Sequence, residues 1–233
     1  MTTTGSIRLL SAGAVQAVIA KLAIQFNQET GHSVSAAFGT VGEVYDQLRT
    51  EFADVVIMSA PAIDEAINQG RVIATSRIHI ARVGIGICIP TGTPLPDISS
   101  PEALKEVLLA TPRLAYPNPL GSTAGRHFAK VLKDLNIAEE VGGKSLICPN
   151  GVTVCKSVSG WKAGFGGAMI SEIRSVKEVE LVGPLPKVLQ LITTYTIGAT
   201  TKMKDADTAR AFIKFVAGAD GKIFTDAGLN YKG

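Results

Sequence analysis

The chain is short of aromatic residues, histidine, cysteine and charge, and each shortage excludes something. Aromatics are 6% of the 233 residues, with a single tryptophan, which argues against a sugar or steroid site built on stacked rings. Three histidines, His32, His79 and His127, are too few and too dispersed for a His-based metal site. The cysteines Cys88, Cys148 and Cys155 cannot all pair within the chain, and two of them lie in or beside apolar runs, so buried free thiols are expected. Neither Cys148 nor Cys155 has a second Cys/His pair at metal-ligand spacing, and no metal or cofactor is expected. Lys and Arg number 23 against 20 acidic residues, a net charge of only +3. The basic residues are scattered, with no stripe interleaved with aromatics, so nucleic acid is excluded as a partner. No apolar run approaches the roughly 18–20 residues that cross a bilayer, so no membrane insertion is expected. The opening Met1-Thr2-Thr3-Thr4-Gly5-Ser6 has neither a basic n-region nor an apolar h-region. The expectation is a cytoplasmic chain, or a periplasmic one whose export signal has been removed. There is no P-loop and no nucleophile elbow.

What is present is an ordinary globular composition, 46% hydrophobic and 18% charged, long enough for one large domain or two lobes of about a hundred residues. The stretch from Pro117 to Arg126, Pro-Asn-Pro-Leu-Gly-Ser-Thr-Ala-Gly-Arg, organises the reading. It follows a short apolar strand, Arg113 to Tyr116, and leads into a segment whose apolar spacing (Phe128, Val131, Leu132, Leu135) is helical. The prolines keep the chain out of helix until Gly121, and Ser122 or Thr123 can serve as N-cap. Small side chains, hydroxyls and unpaired N–H groups at a helix start suit an oxyanion or carboxylate. A capped connection that binds nothing fits the same residues.

Similar corners recur toward the N-terminus. The strand Ile7 to Leu10 runs into Ser11-Ala12-Gly13-Ala14, after which Val15, Val18, Ile19, Leu22, Ala23 and Phe26 mark one face of a helix closed by Gly31. Ser33 to Phe38 alternates like a strand and meets Gly39-Thr40-Val41-Gly42 at the next helix start. The apolar run Asp54 to Met58 ends at Ser59, with Pro61 opening a short helix. The order strand, helix, strand, helix signals α/β architecture with mostly parallel sheets. Ligands collect at the carboxyl ends of such strands, where Ser11, Thr40 and Ser59 stand. Further on, Arg82 to Pro90 reads as one long β-run, Asn150-Gly151 opens a helix to Ser159, and Ala163 to Ile170 is a Gly-rich buried strand. Two helices, from Asp205 and from Asp220, end the chain.

The order and spacing of these motifs resemble the type II periplasmic solute-binding proteins of the molybdate-binding class. The matching segments are Leu9 to Ala14, Phe38 to Gly42, Ala53 to Ala60 and the Gly121 to Arg126 corner. Ile170-Ser171-Glu172-Ile173 and Val182 to Pro186 are closer to a branch that includes proteins labelled aconitate or ketosteroid isomerases. The resemblance implies an α/β fold of two lobes with a ligand cleft between them. Lobe I would hold residues 1–82 and 195–233, lobe II residues 83–194, with two crossing strands as hinge. Carried over by position, it implies ligand-binding residues Ser11, Ala12, Gly13, Ala14, Thr40, Val41, Ser59, Gly121, Ser122, Thr123, Ala124, Arg126, Gly151, Val152, Met169 and Ser171. Two departures from the molybdate pattern, Gly13-Ala14 in place of a serine and Met169 near a tyrosine position, leave room for an organic anion.

The function this implies is a monomeric clamp for a small oxyanion or carboxylate, with an ABC permease as partner if the chain is exported. The alternative is an isomerase of an unsaturated carboxylic acid on the same scaffold, for which Glu43, Tyr116, His79, Tyr195 and Glu172 are acid/base candidates without one standing out. Arg126 opposes the dipole at its helix start and would either reach a carboxylate or be solvated. Ser171-Glu172 reads equally as a ligand hydroxyl backed by a carboxylate and as a capping pair.

Overall fold

The computed structural model describes residues 4–230. β1 (Ser6–Ala12) is followed by a 3-10 turn at Gly13–Val15 and by α1 (Gln16–Thr30). Next come β2 (Ser33–Gly39), α2 (Val41–Thr50), β3 (Val55–Ser59), α3 (Ala60–Asn68) and β4 (Ile78–Val83). The middle of the chain forms β5 (Ile85–Pro90), α4 (Pro101–Ala110), β6 (Leu114–Pro117), α5 (Thr123–Asp134) and α6 (Ala138–Gly142). It continues through β7 (Ser145–Cys148), α7 (Gly151–Ser159), β8 (Phe165–Met169), α8 (Ile170–Arg174) and β9 (Val179–Pro184). β10 (Thr193–Ala199), α9 (Ala206–Gly218) and α10 (Gly221–Asp226) close the chain. These elements form two compact units, one holding residues up to Arg82 and from Thr193 onward, the other Val83–Ile192.

The first unit is built on a sheet of order β2-β1-β3-β10-β4. β1 runs parallel to both β2 and β3, and β10 is antiparallel to β3. All five residues of β3 are buried, as an apolar run covered on both faces requires. Leu10, Val56 and Met58 pack with Val44 and Leu48 of α2 and Ile63 of α3. α1 buries Val18, Ile19, Leu22 and Phe26, the face that its spacing predicts. It stops at Gly31, whose φ of 75° is the left-handed conformation that glycine adopts without strain. Asp54 is buried just before β3, where its carboxylate accepts N–H groups from Arg8 (2.8 Å), Lys204 (2.7 Å) and Asp205 (3.4 Å). That single side chain ties β1 to the segment entering α9.

The second unit is built on a sheet of order β7-β6-β8-β5-β9. β6 is parallel to β7 and β8, whereas β5 is antiparallel to β8 and β9. The glycines of β8 have steric causes. A Cβ on Gly166 would stand 2.8 Å from the Cys88 sulfur, and one on Gly167 would stand 2.4 Å from the Phe128 ring. Trp161 packs against the core formed by Cys88, Val154, Cys155 and Val158, with the Arg113 guanidinium 5.7 Å from its ring centre. All three cysteines are buried free thiols.

Two local expectations fail. The run Arg82 to Pro90 is not one strand but breaks at Gly84, between β4 and β5. There the Gln190 side chain takes both polar groups of Ile85, accepting its N–H and donating to its carbonyl at 2.8 Å each. A side-chain amide thus does what a neighbouring strand would do, and no periodicity announces it. The five-residue helix α6 is absent from the sequence reading because it buries only Val141. Among the described residues no helix is long and apolar enough to cross a membrane.

Candidate functional site

Each unit gathers three helix starts along one sheet edge, because three neighbouring strands run parallel and each hands over to a helix at its carboxyl end. In the first unit these ends are Ala12, Gly39 and Ser59. In the second they are Pro117, Cys148 and Met169. Every residue singled out as ligand-binding in the sequence lies at one of these six ends or in the turn just beyond it.

In the first unit the polar groups are largely committed. Ser11 is fully buried and its hydroxyl donates to the Ala12 carbonyl at 3.3 Å. Ala12 opens the 3-10 turn without any side-chain cap, followed by half-buried Gly13 and buried Ala14. Thr40 caps α2 in a reciprocal box: its hydroxyl accepts the Glu43 N–H at 3.3 Å. In return the Glu43 carboxylate accepts the Thr40 N–H at 2.7 Å and its hydroxyl at 3.0 Å. The positive end of α2 therefore already carries a carboxylate of its own. Val41 is half-buried against the core. Ser59 is buried and begins α3 without a side-chain cap bond, paired across the sheet with Tyr195.

In the second unit two of the three helix starts, those of α5 and α7, carry neutral side-chain caps. The Asn118 N–H donates to the Cys148 carbonyl at 2.8 Å, which joins the ends of β6 and β7, and the Asn118 side chain accepts the Leu120 N–H at 3.0 Å. Ser122, buried, accepts the Gly125 N–H at 3.2 Å and so caps α5. Gly125 is obligatory here: a Cβ would stand 2.1 Å from the Pro117 carbonyl oxygen. Gly121 and Thr123 are half-buried, Ala124 is buried and Arg126 is exposed. No acidic residue occupies the first turn of α5. At the next corner the Asn150 amide oxygen accepts from the Thr153 N–H (2.9 Å) and hydroxyl (3.0 Å), capping α7. Gly151 is buried and Val152 half-buried.

Glu172, third residue of α8, is the unusual group at this edge. It is 8% exposed, and its carboxylate accepts the Met169 N–H at 3.3 Å and also the Gly151 N–H. Burial pushes its carboxyl up from 4.5 to about 7, against the pull of those two N–H groups. Gly151 makes the approach feasible, since a Cβ there would lie 2.0 Å from the Glu172 oxygen. The capping reading of Ser171-Glu172 describes this geometry in part: Glu172 caps its own helix and also reaches the start of α7. Ser171 and Met169 are buried beside it.

The remaining acid/base candidates are dispersed. His79 is exposed and shares a 2.8 Å hydrogen bond with the Thr196 hydroxyl. Tyr116 is half-buried and burial raises its phenol. Tyr195 is buried, and Glu43 is bound into its capping box. His127 is half-buried and shares a 2.7 Å hydrogen bond with the Leu189 carbonyl through Nε2. Among the described residues no group of three or more His, Cys, Asp or Glu side chains is placed to hold a metal ion. Sequence reasoning placed Gly125 in the corner and Asn118 in the stretch before it, but read neither one's contacts. The Asn-Pro and Ala-Gly steps were visible, but their role lies in contacts with β6 and β7 that spacing does not encode.

The bacterial extracellular solute-binding protein family matches residues 7–230. This chain belongs to that family. As a member of the solute-binding family it is 27% identical over 232 residues to an aconitate isomerase from Pseudomonas sp., with 96% of this chain and 87% of that protein covered. Its fold is that of the periplasmic molybdate-binding protein of Azotobacter vinelandii, with a TM-score of 0.78, 18% identity and coverage of 96% and 98% of the two chains. The sulfate-binding protein of Mycobacterium tuberculosis H37Rv superposes equally well, with a TM-score of 0.78, 18% identity and coverage of 97% and 86%. The resemblance read from motif order holds at the level of the solute-binding family, and to the molybdate-binding class at the level of fold.

Proposed function

We propose that this chain binds a small anion, an oxyanion or an organic carboxylate, at the helix starts lining the carboxyl edges of its sheets. The observation that carries the reading is the second unit's edge. Three helices begin side by side there, two of them capped by the neutral side chains of Ser122 and Asn150, and no acidic residue lies in the first turn of α5 or α7. Hydroxyls, N–H groups and helix dipoles hold an anion there without a formal countercharge. The ligand groups of each edge are those inferred from the sequence, Ser11 to Ser59 in the first unit and Gly121 to Ser171 in the second. The names of the molybdate- and sulfate-binding structures support an oxyanion, and the name of the aconitate isomerase supports a carboxylate. Where the chain is exported, an ABC permease is the partner this reading calls for.

Thermal shift with molybdate, sulfate, citrate and the aconitates tests it. A ligand at 100 times its Kd stabilises by about 2.7 kcal/mol, and no shift with any of these anions sinks the proposal. Ser122→Ala with Thr123→Val should weaken binding about ten- to a hundredfold, through hydrogen bonds lost to a charged group. A corner that only caps α5 would lose about 1 kcal/mol of stability with affinity untouched. Ser159→Ala, whose hydroxyl bonds only the Lys156 carbonyl within its own helix, should change neither.

A second reading, an isomerase shifting a double bond or proton in an unsaturated acid, is favoured by the match to aconitate isomerase along nearly the whole chain. Glu172, held near 7, is the acid/base candidate whose protonation suits such chemistry at neutral pH. Incubation with cis- or trans-aconitate in D₂O, followed by NMR, separates the readings. Turnover with deuterium uptake favours the enzyme, and binding without turnover favours the clamp.

A further inference from the structure

We propose that Glu172 couples anion binding in the second unit to uptake of one proton. Ionised, its carboxylate occupies the start of α7; protonated, it leaves that helix start to the incoming anion. The inference rests on the anion-binding reading and concerns how that site is regulated.

The geometry makes Glu172 an internal competitor. Its carboxylate takes the first N–H of α7, from Gly151, and the N–H of Met169, and both corners belong to the proposed ligand set. Gly151 lacks the Cβ that would exclude it. Among the described residues nothing of opposite charge pairs with the buried carboxylate. From α7 the titratable group facing it is the Cys155 thiol, which in turn bonds the Cys88 thiol of β5 at 4.0 Å. That hydrogen bond, then burial, drives the Cys155 thiol well above its ordinary value, so it stays neutral. Lys156 of α7, Arg174 of α8 and Glu180 of β9 are exposed, and β8 carries no titratable side chain. Among the described residues Glu172 takes part in no ion pair. A second negative charge brought to this edge meets a carboxylate that has no ion-pair partner of its own, and like charges in a buried site favour the protonated form. Because Glu172 titrates near neutrality, the exchange falls in a range where pH can direct it. Binding raises the Glu172 pKa, and protonation raises the affinity by the same factor.

The test measures Kd for sulfate, molybdate and trans-aconitate at pH 6, 7 and 8 in the intact protein and in Glu172→Gln. Comparing the two proteins cancels any titration of the probe. The expected result is a Kd about tenfold weaker at pH 8 than at pH 6 in the parent and a flat profile in E172Q. Calorimetry in buffers of different ionisation enthalpy should show about half a proton taken up per anion at pH 7. A flat parent profile, or the same slope in both proteins, overturns the coupling while the binding reading stands. No binding of any probe at any pH overturns the binding reading itself. Should E172Q not fold, ¹³C NMR titration of the parent's glutamate carboxyls decides: the Glu172 midpoint must rise on binding, and an unmoved midpoint overturns the proposal.

Discussion

The two units share a plan and differ in how they treat it. Each has a five-stranded sheet whose first three neighbours are parallel, with the strand earliest in the chain in the middle: β2-β1-β3 in one, β7-β6-β8 in the other. Each carries a glutamate at the third position of a helix rising from an outer strand of that trio, Glu43 on α2 and Glu172 on α8. Glu43 is exposed and answers its own cap residue; Glu172 is buried and reaches a neighbouring helix. The same local rule, a carboxylate in the first turn of a helix, yields an ordinary cap in water and a near-neutral titrating group in the interior. Burial makes the difference.

The largest expected effect comes from pH. Unfolded, Glu172 titrates near 4.5, but folded at about 7, so between those values the folded chain holds a proton that the unfolded chain has released. Its contribution is full below about pH 4.5 and is lost as pH rises through 7. Denaturant unfolding across this range should therefore show the parent losing about 3 kcal/mol relative to E172Q. Equal slopes for the two proteins would erase the contrast between the units.

Next come the glycines beside the two carboxylates. Gly151→Ala places a Cβ 2.0 Å from the buried Glu172 oxygen and should cost about 2 kcal/mol in a chemical melt. Gly39→Ala meets the Glu43 oxygen at 3.0 Å, but that side chain is exposed and swings aside, so its cost should stay within about 0.5 kcal/mol. Comparable losses would show that Glu172 yields as readily as Glu43. Thr40→Ala should cost about 1 kcal/mol from loss of an N-cap, and its smallest effect is on anion affinity, which stays unchanged if the Glu43 carboxylate already fills that helix start.

The strands and most helix boundaries were legible because they rest on local signals. Gly31 ends α1, Ser122 and Asn150 cap α5 and α7, and β3 is a continuous apolar run. The corners were legible as small and hydroxyl-bearing strand ends. What stayed hidden depends on partners distant in the chain: Gln190 replacing a strand at Ile85, Gly125 pressed on Pro117, and Glu172 crossing to Gly151. Arg126 illustrates the boundary, since its place against the dipole was visible in the sequence while its exposure was not.

Trp161 gives the molecule an optical bias. As the sole indole in the chain it lies in the second unit, under the Arg113 guanidinium and against the core around α7. Its emission is a gauge of that unit alone, and the first unit is dark to it. A fluorescence melt laid over one followed by far-ultraviolet dichroism, to which both units contribute, would reveal whether the two melt as one cooperative body. Coincident curves would mean that one lamp serves for the whole; a separation would time the loss of the second unit by itself.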